Sequence, residues 1–438
     1  MSTDRLLITE TVSQRTRLRA LAGSAIGSVV EWYDYFLYGT MAGIIFGPLF
    51  FPGDDPAVSL MLSLATFALA FVVRPIGGVI FSHIGDRVGR KKTLVATLSL
   101  MGGSTVAMGL LPTYETVGVW APILLVTLRL IQGLALGGEW GGGLLLAVEY
   151  APRDKRGLYG AVPQTGALAG LALGALAGSL TTSLFSEEAF RSIGWRIPFL
   201  LSVILIFVGL WIRRAVGETP SFVRVKAEHH EAKVPFVETM RHHWRAVLMT
   251  IGAKLIETAT FFTFATFTIS YATGTLGYEQ STVLNAVLAA AVLAIPVMLL
   301  MGALSDRIGR KKVYTAGVIA IFVYAIPYFW LLSRNSVLAL YAAVIIGFSI
   351  IWSMYGSVLG TLFAESFSAD VRYTGISLGY QVGAAAIGGP APLIATALLV
   401  AYNDNYVPVG IFIMVVALVS LLAISFAKER RGVDLDSL

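Results

Sequence analysis

The chain contains no cysteine and carries little charge for its length. Only 13% of its 438 residues are charged, whereas 56% are apolar and the mean hydropathy is +0.76. Soluble domains carry about 25% charged residues, so this composition excludes a soluble fold. The absence of cysteine excludes disulfides, thiolate metal sites and cysteine nucleophiles. The sequence also lacks a Gly-x-x-x-x-Gly-Lys-[Ser/Thr] phosphate-binding loop, which excludes ATP as the energy source through that motif.

Twelve long apolar runs, bounded by charges or by Gly, Pro and Asp clusters, follow one another along the chain. Each is about 20 residues or longer, which is the length that a helix needs to cross a bilayer. They do not alternate apolar and polar residues as barrel strands do. We therefore predict an all-α membrane protein with twelve transmembrane helices. The runs lie near residues 24–50, 57–83, 93–112, 118–149, 158–184, 197–216, 246–273, 281–304, 313–333, 337–365, 373–400 and 407–427.

Lys and Arg residues are distributed unequally between the two sides of this topology. With the N-terminus inside, 26 of the 32 fall in cytoplasmic segments, and only Arg191, Arg196 and Arg334 fall in outer loops. This imbalance is the positive-inside signal. We predict a multi-pass protein of the cell (inner or plasma) membrane with both termini cytoplasmic. Because the basic residues line a membrane face, we expect no nucleic-acid partner.

A seven-residue motif occurs twice, at equivalent places in the two halves of the chain. Residues 86–92 read Asp-Arg-Val-Gly-Arg-Lys-Lys, and residues 306–312 differ from them only by Ile in the third position. A weaker repeat pairs Glu149 and Arg156 with Glu365 and Arg372, seven residues apart in each half. Two parallel six-helix repeats are predicted. The resulting organisation is a cytoplasmic tail (1–23), an N-terminal half (24–216), a cytoplasmic linker (217–245), a C-terminal half (246–427) and a cytoplasmic tail (428–438).

Further motifs carry a resemblance to a known family. They read Glu-Trp-Tyr-Asp-Tyr at 31–35, Arg-Pro-Ile-Gly-Gly at 74–78, Gly-Gly-Glu at 137–139, Gly-Trp-Arg-Ile-Pro-Phe at 194–199 and Glu-Thr-Pro-Ser-Phe at 218–222. Over essentially the whole chain, the sequence resembles the metabolite–proton symporters of the major facilitator superfamily. The resemblance implies the major facilitator fold and alternating access around a central site. The gating residues that it implies are Asp86, Arg87, Gly89, Arg90, Asp306, Arg307, Gly309 and Arg310, with Glu149, Arg156, Glu365 and Arg372.

Charged residues inside the predicted spans are candidates for function, because a charge in hydrocarbon costs at least about 2.5 kcal/mol. Asp34 lies near mid-depth in the first span, and Glu31 is one turn away on the same face. Burial raises the pKa of a carboxyl group and a nearby cation lowers it, so a carboxylate with a mobile cationic partner can pick up and release protons. We predict that Asp34, Glu31 or Glu139 carries a coupling proton.

Two cations lie near mid-depth in predicted spans, one in each half. Arg129 is in the fourth span, and Lys254 stands 220 residues after Asp34, at the equivalent position of the seventh span. Either could bind a substrate carboxylate, and Glu257 is within reach of Lys254 on the same helix. Aromatic and amide side chains are expected to complete the substrate site. These are Trp32, Tyr35, Tyr355, Tyr380 and Gln381.

The predicted function is secondary active transport, with proton-coupled uptake of a small organic acid that is similar to shikimate or a dicarboxylate. A proline or betaine carrier, in which the aromatic residues bind a cationic group, stays open as an alternative. A transporter-like sensor fits less well. We predict no enzymatic activity, no cofactor and no metal. The expected partners are a small metabolite, protons and the lipid bilayer, and the chain is expected to be monomeric.

Overall fold

The computed structural model describes residues 13–227, 234–388 and 390–435, so parts of both predicted tails and of the predicted linker lie outside the described residues. Within the described residues the chain forms twelve long helices. They are α1 (Gln14–Met41), α2 (Pro56–Val88), α3 (Arg90–Gly109), α4 (Trp120–Glu149), α5 (Arg156–Leu184), α6 (Arg196–Arg214), α7 (Trp244–Thr275), α8 (Gln280–Ile308), α9 (Arg310–Leu332), α10 (Val337–Ala364), α11 (Arg372–Ile387, resuming as Pro390–Ala401) and α12 (Val407–Ser425).

Shorter helical segments connect or extend these helices. A π-helical turn and one further helical turn extend α1 to Phe50, at the end where the first predicted span ends. Two of the short helices belong to the segment between α6 and α7. The short segments are Ala42–Phe46, Gly47–Phe50, Tyr114–Val117, Glu187–Ala189, Phe190–Gly194, Pro220–Ala227 and Pro235–His242.

Ten helices in the described part of the chain are long and apolar enough to cross a membrane. The other two long helices, α1 and α3, have 28 and 20 residues, so they are also long enough. Buried polar residues lower their hydropathy: Glu31 and Asp34 lie in α1, and α3 contains several Ser and Thr residues. The chain is an all-helical, multi-pass membrane protein, and all twelve predicted spans correspond to long helices.

The helices pack as two similar groups, which we call the N-terminal half (α1–α6) and the C-terminal half (α7–α12). In the first, α1 packs on α5, α2 on α4, and α3 on α6; in the second, α7 packs on α11, α8 on α10, and α9 on α12. The halves meet where α2 lies against α11 and α5 lies against α8. These two contacts are equivalent under the repeat, so the interface between the halves, here called the seam, is pseudo-symmetric.

Both copies of the repeated motif lie at one end of the bundle, here called the basic end, in the tight connections α2–α3 and α8–α9. Their glycines have positive φ angles, +128° at Gly89 and +106° at Gly309. A residue with a Cβ atom adopts this region only at a cost, which explains the repeated glycine. Each connection is capped by a carboxylate: Glu218 accepts hydrogen bonds from the backbone N–H groups of Arg90 and Lys91 at 3.0 and 3.1 Å.

Candidate functional site

Four charged side chains approach one another at the seam, and each is at most 6% exposed: Glu31 and Arg74 in the N-terminal half, Lys254 and Glu257 in the C-terminal half. Lys254 pairs with Glu257, and its ammonium lies 3.7 Å from the centre of the Tyr380 ring. Nη2 of Arg74 is 3.9 Å from Oε1 of Glu31. Glu31 and Arg74 both act electrostatically on Lys254 across the seam. Two acids and two bases therefore form one buried network that joins the halves.

Aromatic rings cover this network on the side away from the basic end. The Trp32 ring of α1 lies 5.3 Å from that of Phe261 on α7, and Tyr35 lies 6.4 Å from Phe262. These pairs bring α1 and α7 together above the charges. Of the predicted aromatic residues, Trp32 and Tyr35 therefore lie at the seam.

Helix α11 supplies two further predicted residues to the same place. The Tyr380 ring stacks on Trp140 of the N-terminal half, with centroids 3.6 Å apart. Gln381 donates a hydrogen bond from Nε2 to the carbonyl oxygen of Gly137 at 3.0 Å. Tyr355 lies elsewhere, because its hydroxyl pairs with Thr260 at 2.8 Å inside the C-terminal half.

A cavity of about 10 Å³ adjoins Glu31, which is about the space that one water molecule occupies. Its lining residues are Ser24, Ser28, Glu31, Glu139, Trp140, Gly143 and Pro163. The cavity is far smaller than a metabolite. Because the four charges of the network are at most 6% exposed, the seam is closed around them in this conformation.

Asp34 and Arg129 belong to a second polar cluster, which is hydrogen-bonded inside the N-terminal half. Oδ2 of Asp34 accepts a hydrogen bond from Thr105 at 2.6 Å, and the Thr105 hydroxyl in turn accepts one from Gln132 at 2.8 Å. Arg129 donates to Gln132 and lies 3.9 Å from the centre of the Tyr38 ring. The predicted proton carrier and the predicted substrate cation are thus linked by hydrogen bonds through α1, α3 and α4, and the Tyr35 ring lies between Arg129, at 5.9 Å, and Arg74 of the seam network, at 5.4 Å.

Glu139 is neutralised by an arginine that we counted among the cytoplasmic residues. Arg213, near the end of α6, is 2% exposed and forms a two-pronged ion pair with Glu139. Glu139 also accepts a hydrogen bond from Thr97 at 2.8 Å. The guanidinium of Arg213 turns back into the N-terminal half, where the carboxylate of Glu139 offsets the cost of its burial.

The predicted gating residues of the first motif join the halves at the basic end. Oδ2 of Asp86 accepts two hydrogen bonds from Thr374 on α11, from the backbone N–H at 2.9 Å and from the hydroxyl at 2.8 Å. Arg90 pairs with Glu149 and donates to the carbonyl oxygen of Ala369 at 3.0 Å. Asp86 and Arg90 thus connect α2 and α3 to the other half.

The second motif makes the equivalent contacts in the opposite direction. Asp306 accepts hydrogen bonds from the N–H groups of Gly157 and Leu158, at 2.7 and 3.0 Å, at the start of α5. Arg310 lies 3.0 Å from Asp306 and 3.2 Å from Glu365. A carboxylate at a helix N-terminus is favoured by the helix dipole. The repeat therefore builds two matching locks, one on each side of the seam.

Between the two locks, Arg372 reaches Glu149 of the N-terminal half at 3.1 Å. The chain after α12 also crosses here, since Val433 accepts a hydrogen bond from Arg156 and Leu435 accepts one from Arg372. Arg87 and Arg307, by contrast, are exposed on the surface of the basic end. Of the twelve predicted gating residues, these two have side chains that point away from the seam.

Two six-helix groups surround a closed polar centre, and comparison with known proteins identifies the family that has this arrangement. The family model described as Major Facilitator Superfamily matches residues 24–391. The chain belongs to this superfamily. It is therefore a membrane transporter of metabolites and not an enzyme, which confirms the resemblance read from the motifs.

Relatives of the chain extend over nearly its whole length. It is 38% identical to the shikimate transporter of Escherichia coli (strain K12), covering 96% of this chain and 97% of that protein. It is 34% identical to the glycine betaine/proline/ectoine/pipecolic acid transporter of Dickeya dadantii (strain 3937), covering 96% and 85%. The solved structure of a proton:xylose symporter bound to 6-bromo-6-deoxy-D-glucose has the same fold, with a TM-score of 0.77 at 17% identity over 96% and 98% of the two chains.

Three functional or structural partners are not evident from the sequence. Arg213 stands next to Arg214 at a helix end, where an unpaired surface charge is the usual interpretation. Glu218 and Glu429 play matching roles, since Glu429 accepts a hydrogen bond from the N–H of Lys311 at 2.9 Å as Glu218 does from Lys91. Their separation of 211 residues differs from the motif offset of 220, so a search at fixed offset does not pair them.

Gly137 of α4 allows the close approach of α2 that sets the position of Arg74. A Cβ atom on Gly137 would lie 2.2 Å from the carbonyl oxygen of Arg74 and 2.3 Å from the N atom of Gly78, both backbone atoms of α2. We expect Gly137→Ala to push α2 away from α4, lowering the thermal midpoint of the purified protein and its transport rate, because overpacking costs about 1–3 kcal/mol. Gly103→Ala is the control: Gly103 is in α3 with open space around it. Equal midpoints for the two variants would contradict the expectation.

Proposed function

We propose that this transporter is a secondary active symporter that takes up a small carboxylated metabolite together with protons, by alternating access to one central site. The observation that carries the proposal is the buried seam network of Glu31, Arg74, Lys254 and Glu257. Its cations can bind an anionic group, and its carboxylates can bind a proton. Because the network draws on both halves, a substrate bound there would be released when the halves rock apart.

The predicted site residues fall into two groups by their position. Lys254 and Glu257, with Trp32, Tyr35, Tyr380 and Gln381, adjoin the seam and would contact the substrate. Arg129, Asp34 and Tyr355 would act from inside one half, through the helices that carry them. Shikimate-like substrates are favoured by the name of one relative, the shikimate transporter of E. coli.

The two locks would be the gate of the inward side. Because 26 of the 32 Lys and Arg residues are predicted on one face, the positive-inside rule assigns the basic end to the cytoplasmic side of the inner membrane. Opening toward the cytoplasm would then require Asp86 to leave Thr374 and Asp306 to leave the start of α5. When both locks close again, the substrate could reach the central site only from the outside.

A zwitterion carrier for proline or betaine is the second candidate. It is favoured by Tyr380, whose ring already holds the ammonium of Lys254 at 3.7 Å and could hold a substrate cation in its place. The same relatives include a transporter named for glycine betaine and proline. In that case the carboxylate of the substrate would still bind a cation of the seam.

Uptake into proteoliposomes decides between these functions. Labelled shikimate, a dicarboxylate, proline and glycine betaine are offered under an imposed pH gradient that is acidic outside. We expect accumulation of a carboxylate that lacks an ammonium group, and we expect it to collapse when a protonophore dissipates the gradient. Accumulation of proline or betaine alone would favour the second candidate. Uptake that only equilibrates and ignores the gradient would contradict proton coupling.

A further inference from the structure

Arg74 and Glu31 stand out among the buried charges because neither is hydrogen-bonded. Within the described residues, Nε and Nη2 of Arg74 and both carboxylate oxygens of Glu31 have no hydrogen-bond partner. The 3.9 Å between Nη2 and Oε1 is an ion pair that exceeds hydrogen-bond distance. Both side chains are almost fully buried, at 3% and 1% exposure. Buried charged groups without hydrogen bonds are costly, so this pair is arranged for a partner that the resting site lacks.

The other intramembrane cations are already engaged. Arg213 binds Glu139, and Lys254 binds Glu257 and the ring of Tyr380. Arg129 donates to Gln132 inside the N-terminal half. Arg74 is therefore the cation at the seam whose donors are least satisfied among the described residues. Its planar fork of N–H groups matches a carboxylate better than the ammonium of lysine does.

Aromatic rings around Arg74 hold its guanidinium in place but leave its hydrogen-bond donors without acceptors. Its central carbon lies 5.4 Å from the centre of the Tyr35 ring and 5.1 Å from that of Phe71. Aromatic faces attract a guanidinium but accept no strong hydrogen bond from its edge. The edge stays available for an anion that enters the seam.

Charged groups on several helices act electrostatically on Glu31. The titratable groups that act on it are Arg74 of α2, Glu139 of α4, Arg213 of α6 and Lys254 of α7, and it acts on Tyr380 of α11. It also lines the water-sized cavity described above. Asp34 differs, since it accepts a hydrogen bond from Thr105 and has Arg129 as its nearby cation within one half.

We propose that Arg74 binds the carboxylate of the substrate, and that the substrate displaces Glu31, which takes up the coupling proton as it loses its cation. The step is balanced: a substrate anion and one proton enter, Arg74 exchanges Glu31 for the substrate, and Glu31 becomes a neutral acid. For a monoanion the net charge of the site is unchanged, so transport is electroneutral. This inference rests on the proposed function and assigns its proton to Glu31, one of the three predicted carriers.

The test uses the wild-type protein and the variants Glu31→Gln, Arg74→Gln, Arg74→Lys and Asp34→Asn in proteoliposomes, with labelled shikimate and 2-oxoglutarate as the probes. Glu31→Gln imitates the protonated acid. We expect it to keep counterflow exchange and to lose the pH dependence of the apparent Kd, while accumulation driven by a pH gradient falls at least tenfold. Arg74→Gln should raise the apparent Kd at least tenfold, and Arg74→Lys should raise it less.

The outcomes separate this inference from the proposed function. If the wild-type protein accumulates neither probe, the proposed function fails, and the inference falls with it. If the wild-type protein accumulates a probe but Glu31→Gln does so equally well, Glu31 does not carry the proton. A Kd within twofold of wild type in Arg74→Gln would exclude Arg74 as the ligand. Should Arg74→Gln fail to fold, Arg74→Lys and Glu31→Gln still decide the matter. Loss of pH dependence in Asp34→Asn alone would assign the proton to Asp34 instead of Glu31.

Discussion

Replacing Asp86 by Ala should open the basic end and reduce accumulation of the substrate at least tenfold, with membrane insertion unchanged. Asp86 holds the two halves together through two hydrogen bonds from Thr374 to a single carboxylate oxygen. Hydrogen bonds to charged groups are worth about 1.5–3 kcal/mol, and 1.4 kcal/mol changes a population tenfold. Ala is preferred to Asn here, because the amide oxygen of Asn could still accept both bonds.

The absence of native cysteine makes the opening directly measurable. Ser377 lies one turn beyond Thr374 on α11, is fully buried, and tolerates a thiol of similar size. We expect Asp86→Ala to raise the rate at which Ser377→Cys reacts with a thiol reagent added at the basic end. Lys92→Gln, an exposed change in the same motif, is the matched control. Labelling and uptake equal to those of the control would show that Asp86 does not hold the gate.

The asymmetric roles of the two locks can be tested in the same background. Asp306 accepts its hydrogen bonds from backbone N–H groups of α5, which no substitution at Gly157 or Leu158 other than proline removes. For Asp86, half of the contact comes from the side chain of Thr374. Once Asp86 is removed, Thr374→Val should therefore add little further labelling.

The positions of the helices could be predicted because they depend on composition and length. Twelve apolar runs and one repeated motif fix the number of helices, the two halves and the place of the locks at one end. The repeated glycine at 89 and 309 was part of that prediction, and the positive φ angles give its reason. These features are local, so one sequence is enough to find them.

Pairing across helices could not be predicted in the same way. Periodicity assigns a residue to a helix face, but which neighbour that face meets depends on packing between distant segments. Arg129 and Asp34 are predicted separately, as a substrate cation and a proton carrier, and only the structure shows that Thr105 and Gln132 link them inside one half. Arg74 was identified only as part of a motif, although it contributes to the seam network. The close approach of α2 to α4 at Gly137, which places it there, is a tertiary feature.

The second large effect is expected from Arg213→Gln, which should sharply lower the thermal midpoint and the yield of folded protein. The change leaves Glu139 charged and buried without its cation, and breaking a buried ion pair from one side costs about 3–5 kcal/mol. That is a large part of a total stability of about 5–15 kcal/mol. Arg191→Gln provides the control, because Arg191 pairs with Glu187 at 2.8 Å on the exposed surface, where such pairs contribute little.

The opposite single change should be milder. In Glu139→Gln, Arg213 still donates to the carbonyl oxygens of Leu94 at 3.0 Å and Gly23 at 3.4 Å, so its charge keeps two partners. The double variant Glu139→Gln/Arg213→Gln should recover most of the midpoint lost in Arg213→Gln, because no unpaired charge remains. A double variant as unstable as Arg213→Gln would show that the guanidinium stabilises α6 independently of Glu139.

The same variants decide whether Glu139, one of the three predicted carriers, carries the coupling proton. Both prongs of Arg213 and the hydroxyl of Thr97 bind the carboxylate of Glu139, and all three residues belong to one half, so a rocking of the halves leaves these contacts in place. We therefore expect Glu139→Gln to keep accumulation driven by a pH gradient, in the same vesicles in which counterflow is measured. Loss of accumulation with intact counterflow and an unchanged thermal midpoint would instead assign the proton to Glu139. If the ion pair were only structural, its loss would lower the thermal midpoint as well.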